Sequence, residues 1–241
     1  PAIAVNIFAN NSGYPLHLEL LNFPTTLTGN TYTANGIPAI ELVGGYLASD
    51  LTLVNDGLPY AVTSSIYVNW SGYSTTPVTL TLPPGLTLQF AQYQTLTVGY
   101  SSTYQGILNA QGTEAQRITF TANSASPTRG FWTGIVFNAT TPASRCDYCT
   151  IEYGGYSGSD ANVTISSSSP TFTHSTIRES DGRGVYLSSN SAPILQTNTI
   201  TNNSTIGVYL SSGTQATIFQ NNTVSNSGTY PLHLELTSFP T

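Results

Sequence analysis

The sequence begins again before it ends. Tyr14-Pro15-Leu16-His17-Leu18-Glu19-Leu20 returns as Tyr230-Pro231-Leu232-His233-Leu234-Glu235-Leu236, and Phe23-Pro24-Thr25 returns as Phe239-Pro240-Thr241. Both matches share an offset of 216 (230 − 14 and 241 − 25), so nothing is inserted or deleted between them. Asn6 and Asn10 recur at the same spacing as Asn222 and Asn226. A globular domain gains nothing by restarting itself, whereas an array of stacked repeats does so by construction. Residues 1–241 therefore read as a single continuous solenoid, with 1–216 as one repeat unit and 217–241 as the start of the next.

A shorter period lies inside the long one. Gly184-Val185-Tyr186-Leu187-Ser188-Ser189 recurs 23 residues later as Gly207-Val208-Tyr209-Leu210-Ser211-Ser212, and Leu232 follows Val208 by 24. Upstream of these copies stand Ser175-Thr176-Ile177, Asn198-Thr199-Ile200 and Asn222-Thr223-Val224, and Asn30-Thr31-Tyr32 follows Asn6-Ile7-Phe8 in the same manner. Each coil holds short strands with alternating apolar residues, divided by Gly, Asn and Ser turns. Val185 and Leu187 are expected to face inward and Tyr186 outward. Coils stacked at about 4.8 Å would put about nine coils of about 24 residues in the unit, advancing about 43 Å. Between Leu51 and Gly155 the pattern is looser. Leu80-Thr81-Leu82, Leu96-Thr97-Val98 and Ile118-Thr119-Phe120 still alternate, while 71–77 and 123–130 read as loops leaving the coil.

Composition narrows the partners. Only 7% of residues are charged, against about 25% in ordinary soluble domains. All five basic residues are Arg, none is Lys, and the net charge is −6. No basic cluster exists to meet nucleic acid or anionic lipid, so neither is expected as a partner. No apolar run approaches the roughly 20 residues of a membrane helix, and no membrane insertion is expected. Abundant Ser, Thr and Asn with so little charge is the balance of exported proteins, which points to an extracellular or cell-surface location. The chain opens on Pro1 with neither Met nor a signal peptide, as a processed chain or a segment of a longer one would. Cys146 and Cys149 form a lone C-x-x-C, read as buried apolar residues or an incidental disulfide rather than a zinc or thioredoxin-like site. No metal or other cofactor is expected.

Several segments carry a family resemblance: Pro83-Pro84-Gly85-Leu86-Thr87-Leu88-Gln89-Phe90, Ala110-Gln111-Gly112-Thr113-Glu114, Trp132-Thr133-Gly134-Ile135-Val136-Phe137, Asp147-Tyr148-Cys149-Thr150-Ile151-Glu152-Tyr153-Gly154-Gly155 and the Asn-Thr-Ile coils. Together they resemble right-handed parallel β-helix repeat proteins of the pectate-lyase-like superfold, particularly the large bacterial surface type. The resemblance implies an all-β, right-handed parallel β-helix. It leaves activity open, because that superfold hosts lyases, hydrolases, adhesins and inert stalks.

Three constellations invite a functional reading. Asn6, Asn30, Asn198 and Asn222 occupy one place in their coils and are expected to form a structural amide ladder, interrupted where Ser175 and Cys149 replace Asn. His17, Tyr186, Tyr209 and His233 are expected to line an outer strip, as ring stacking, fibre contact or a sugar-binding surface. Arg178-Glu179-Ser180-Asp181-Gly182-Arg183 is the one concentration of charge, and register places Glu152 beside Arg178. With Asp160 these residues could supply the carboxylates of a lyase or glycosidase, but the galacturonase motifs are missing and a cross-coil Glu152–Arg178 ion pair is the plainer reading. The Thr pairs Thr79/Thr81, Thr95/Thr97 and Thr119/Thr121 fall at different coil positions, unlike the flat array of an ice-binding solenoid. The expectation is a non-enzymatic length of an extracellular filament or stalk, built from tandem or end-to-end copies with itself as partner. The alternatives are a cell-surface adhesin binding glycans and, behind it, a polysaccharide lyase or hydrolase.

Overall fold

A computed structural model describes residues 1–139, 143–156, 161–214 and 218–235. Leu236, Phe239, Pro240 and Thr241 of the long repeat, and Asp160, lie outside them. The described chain is a solenoid of short parallel strands whose one helical element is a single 3-10 turn, Leu20–Asn22. Three parallel sheets form its walls. Sheet I has nine strands, from His17–Glu19 to Thr223–Ser225; sheet II has eight, from Gly45–Leu47 to Tyr230–Leu234; sheet III has seven, from Leu51–Thr52 to Ile218–Gln220. The path visits II, III and I in turn, and the nine strands of sheet I count nine coils.

Alternation within each strand decides what is inside. Val185 and Leu187 are buried with Tyr186 half-exposed between them, and Val208 and Leu210 flank Tyr209 in the same way. Inward side chains of all three walls meet in one core that includes Phe90, Phe120, Phe137, Phe172 and Tyr60. Trp132 is fully buried, stacked on Phe90 at 4.3 Å, and its indole N–H donates to the Glu152 carbonyl at 2.8 Å. Each strand also satisfies its backbone on the coils above and below, so burial and hydrogen bonding reinforce one another at every step.

Coil length varies more than the sequence period suggests. From Thr176 to Thr199 is 23 residues and from Thr199 to Thr223 is 24. In the middle, Leu96 pairs with Ile135, 39 residues on, and Leu88 with Phe120, 32 on. The excess is carried by loops at the corners, among them 71–77 and 123–130, while the sheets run through undisturbed.

The corners share one device. At the turn from sheet III into sheet I, Tyr148, His174, Thr197 and Asn221 all have φ between 48° and 59°. At the turn from I into II, Tyr153, Glu179, Asn202 and Asn226 have φ between 51° and 63°. A single left-handed residue bends the chain sharply enough to start a new wall. Side chains other than Gly and Asn are strained there by about 1–2 kcal/mol, which stacking must offset.

The first two coils are built differently. Ala2–Ala4 pairs only with Thr26–Thr28, and Ile7–Ala9 only with Thr31–Thr33. Their corners keep the usual conformation, with Val5 and Asn10 left-handed at φ 56° and 58°. The strand that follows, His17–Glu19, then joins sheet I through Ile40–Val43. By the 216-residue repeat it corresponds to 233–235, yet Tyr230–Leu234 stands in sheet II. The same sequence thus enters the solenoid one face apart at its two ends. A residue Cβ at Gly44 would stand 2.2 Å from the Ser64 carbonyl oxygen, so only glycine lets Ile40–Val43 turn at once into Gly45–Leu47. Ile40–Val43 belongs to sheet I through its pairing with Tyr60–Val62, and Gly45–Leu47 to sheet II through its pairing with Ile66–Val68.

Candidate functional site

The amide ladder is more continuous than expected. Asn30 Oδ1 accepts from the Asn6 backbone N–H and side chain, both at 3.0 Å, and Asn222 accepts from Asn198 in the same two ways at 2.9 and 3.0 Å. Ser175 does not break the column. Its N–H donates to Asn198 Oδ1 at 2.9 Å, and its hydroxyl oxygen accepts from the Cys149 N–H at 3.0 Å. A hydroxyl can both accept and donate, so it substitutes for the amide oxygen. The expected Asn role also shifts by one residue: the left-handed position is the one before each ladder residue, at Val5, Gly29, Thr197 and Asn221. A second column follows the next corner, where Asn35 accepts from the Asn11 N–H at 3.2 Å and Asn203 from the Ser180 N–H at 3.1 Å. Cys149 ends the first column, and it and Cys146 are buried without a bridge. Burial pushes the Cys146 thiol well above its ordinary value, which suits an apolar residue and not a nucleophile.

The charged residues resolve into separate pairs. Glu152 and Arg178 are register partners, and Arg178 donates to Glu152 at 2.7 Å while Thr121 Oγ1 donates to the other carboxylate oxygen at 2.9 Å. Glu179 is held by both Nε and Nη2 of Arg129, at 3.0 and 2.9 Å, tying the 123–130 loop to the corner. Arg183 lies over the rings of Tyr186 and Tyr209, 4.8 and 4.6 Å from their centroids. Asp181 is exposed beside Gly130. The carboxylates are thus distributed among arginines rather than gathered around a cleft. Among the described residues no group of three His, Cys, Asp or Glu side chains converges as metal ligands would. A cleft among the described residues lies far along the axis, between Leu20–Thr25 and Leu47–Val54.

The outer strip divides. Tyr186, Tyr209 and His233 stand in register on sheet II, with the two tyrosines stacked at 5.4 Å and His233 edge-on to Tyr209 at 4.6 Å. The Tyr209 hydroxyl donates to Glu235, a bond that raises the Tyr209 pKa and lowers that of Glu235. His17 is not in this strip. It stands on sheet I, where its Nδ1 is 2.8 Å from Glu41. Twenty-five strands among the described residues, one more than eight full coils, separate it from its repeat.

Sequence reasoning missed the largest assembly of rings. Tyr46 and Tyr67 are register partners in the first strands of sheet II, stacked at 4.8 Å. Tyr73 stacks on Tyr46 at 5.2 Å, Trp70 meets Tyr67 edge-on at 4.8 Å, Tyr100 lies 4.6 Å from Trp70, and Tyr104 follows at 6.4 Å. The available signal was the apolar-Tyr-apolar triplet of Ile66-Tyr67-Val68, which matches Val185-Tyr186-Leu187. Register then carries the outward column of sheet II from Tyr46 and Tyr67 through Thr97, Val136 and Thr164 to Tyr186.

The architecture agrees with a comparison of sequences. Residues 106–240 match the family described as right handed beta helix region, more than half of the chain. The chain belongs to this right-handed β-helix family. No curated protein and no solved structure matches it. Family membership fixes the winding of this β-helix and leaves its task to be argued from the surface.

Proposed function

We propose that this β-helix is a length of an extracellular or cell-surface filament or stalk, extended by further copies of its 216-residue unit. The copies are joined in tandem by peptide bonds or stacked end to end, and the role is mechanical rather than catalytic. The observation that carries the reading is the return of the first strands, residue for residue, after 216 positions. Solenoid stability is nearly a sum over neighbouring coils, so a unit that restarts can be lengthened without a new fold. Carboxylates already committed to arginines favour a structural over a hydrolytic reading.

Electron microscopy of the native material tests this directly. Thin unbranched fibres that rise about 40 Å per copy are expected; discrete single-unit particles would rule the reading out. A second reading, an adhesin that binds glycans, draws on the exposed rings. At Tyr186 and Tyr209 the ring faces are shared with each other and with Arg183, which leaves little surface for a sugar there. On a glycan array, binding lost in Tyr186→Ala and Tyr209→Ala would restore that strip as the ligand site.

A further inference from the structure

The ring assembly on the opposite end of sheet II differs from the Tyr186 strip in three respects. First, only Tyr46 and Tyr67 belong to strands. Trp70 and Tyr73 come from the loop after one strand, and Tyr100 and Tyr104 from the loop after the next. Coil stacking does not require these four rings, so ordering them needs another explanation. Second, one fully buried side chain holds both loops. The Asn69 amide nitrogen lies 3.0 Å from the Ser74 carbonyl, 3.2 Å from that of Thr76 and 2.9 Å from that of Gln105, while Asn69 Oδ1 accepts from the Ser74 N–H at 3.2 Å. Asn69 itself is left-handed, with φ 58°. The platform is therefore set before any ligand arrives, which lowers the entropy lost on binding. Third, no arginine lies over these rings, and Tyr73 and Tyr100, near the two ends of the run, are 49% and 45% exposed.

The chemistry of the patch selects its ligand. Every ring in it is Tyr or Trp, each with an apolar face and a hydrogen-bonding tip. Residues 66–77 and 99–106 contain no Asp, Glu, Lys, Arg or His, but the same two stretches carry seven Ser or Thr hydroxyls, among them Ser71, Ser74, Thr75, Ser101 and Thr103. A uronate or sulfated chain would find no cation there, and a basic peptide would find no anion. Asp50, just before the first strand of sheet III, accepts from the Thr79 N–H at 2.7 Å. A neutral chain with flat C–H faces and many hydroxyls fits both the rings and their border.

We propose that Tyr46, Tyr67, Trp70, Tyr73 and Tyr100 form a binding site for a neutral polysaccharide, with Asn69 as its positioning residue. The site does not depend on whether the chain forms a rod: a monomer carries it whole. The test uses the full chain with neutral polymers (a glucan, a mannan and an N-acetylglucosamine polymer), and with polygalacturonate and dextran sulfate as charged comparators. Trp132 is fully buried, so polymer-dependent change in tryptophan emission reports on Trp70. At least one neutral polymer is expected to bind, with the affinity reduced about tenfold or more in the double variant Tyr73→Ala/Tyr100→Ala. That variant should keep the far-UV spectrum and unfolding midpoint of the parent, since both side chains lie outside the core; Tyr100→Phe, which keeps the ring, should retain most of the binding. Tyr186→Ala should bind as the parent does. Binding of only the charged polymers, no binding of any polymer, or equal binding by the double variant would overturn the proposal. So would concentration-dependent self-association abolished by the double variant, which would make the patch a contact between copies.

Discussion

The two copies of Pro-Leu-His-Leu-Glu are the same peptide in two surroundings. At the first, Leu18 is buried, its strand joins sheet I, and His17 faces Glu41. At the second, the corresponding Leu234 is only partly buried, the strand joins sheet II, and His233 packs edge-on against Tyr209. Upstream the copies agree: Val5 and Asn10 are left-handed, as are Asn221 and Asn226. Local backbone conformation therefore travels with the sequence, whereas the wall that a strand joins is decided by the coil it stacks on. A strand is stabilised by pairing with its neighbour, so His17–Glu19 stands in sheet I because Ile40–Val43 does, and Tyr230–Leu234 in sheet II because Ile206–Leu210 does.

The largest effect should come from the tight corner that follows the partner strand of the first copy. Gly44→Ala would press a Cβ against the Ser64 and Ser65 carbonyl oxygens at 2.2 and 2.3 Å and is expected to cost about 3 kcal/mol or more. Chemical denaturation would show a lower midpoint, while Gly13→Ala, with open space around it, should leave the midpoint in place. An unchanged Gly44→Ala midpoint would mean that this corner is not tight. Next, the two leucines should part company. Leu18→Ala is expected to cost about 2–4 kcal/mol and its copy Leu234→Ala less than about 2, because one is core and the other only partly buried. Equal losses would show the two ends to be equivalently packed in solution.

The ladder offers a smaller contrast. Asn198→Ala strips the partner from the buried Ser175 N–H and from the Phe172 carbonyl and should cost about 1–3 kcal/mol. At exposed Asn6 the same change should stay within about 0.5 kcal/mol. Hydrogen exchange at the Ser175 amide reads the first directly. The smallest effect is acid fraying of the last described coil. Glu235 is held below the ordinary carboxylate range by the Tyr209 hydroxyl, so its contribution is present above that range and fades as pH falls through the lowered value. Exchange at 230–234 should quicken in acid, and Tyr209→Phe should remove that dependence.

Much of this architecture could be read from the chain because its signals are short-ranged. Alternation in Val185-Tyr186-Leu187 and the spacing of Asn198 and Asn222 state which way side chains point and which residues stack. Glu152 beside Arg178 followed from the same counting. What escaped was relational. Ser175 continues the ladder because a hydroxyl can do the work of an amide oxygen, and Tyr148, His174 and Thr197 take left-handed corners that nothing in their own chemistry announces. Arg129 reaches Glu179 from a loop 50 residues away. The ring assembly joins two loops through Asn69, whose sequence context looks like an ordinary turn. The face change between the two copies was hidden because it rests on the number of strands between them, 25 among the described residues rather than a multiple of three.

That face change has a geometric consequence. If successive copies followed one another as the two Pro-Leu-His-Leu-Glu strands do, each would be rotated by about one wall in three about the rod axis as well as advanced along it, giving a screw rather than a simple translation. Side chains aligned within a copy would trace a spiral from copy to copy. A flat surface alongside would meet a given patch only once every third copy, and the rod would resist bending alike in every direction.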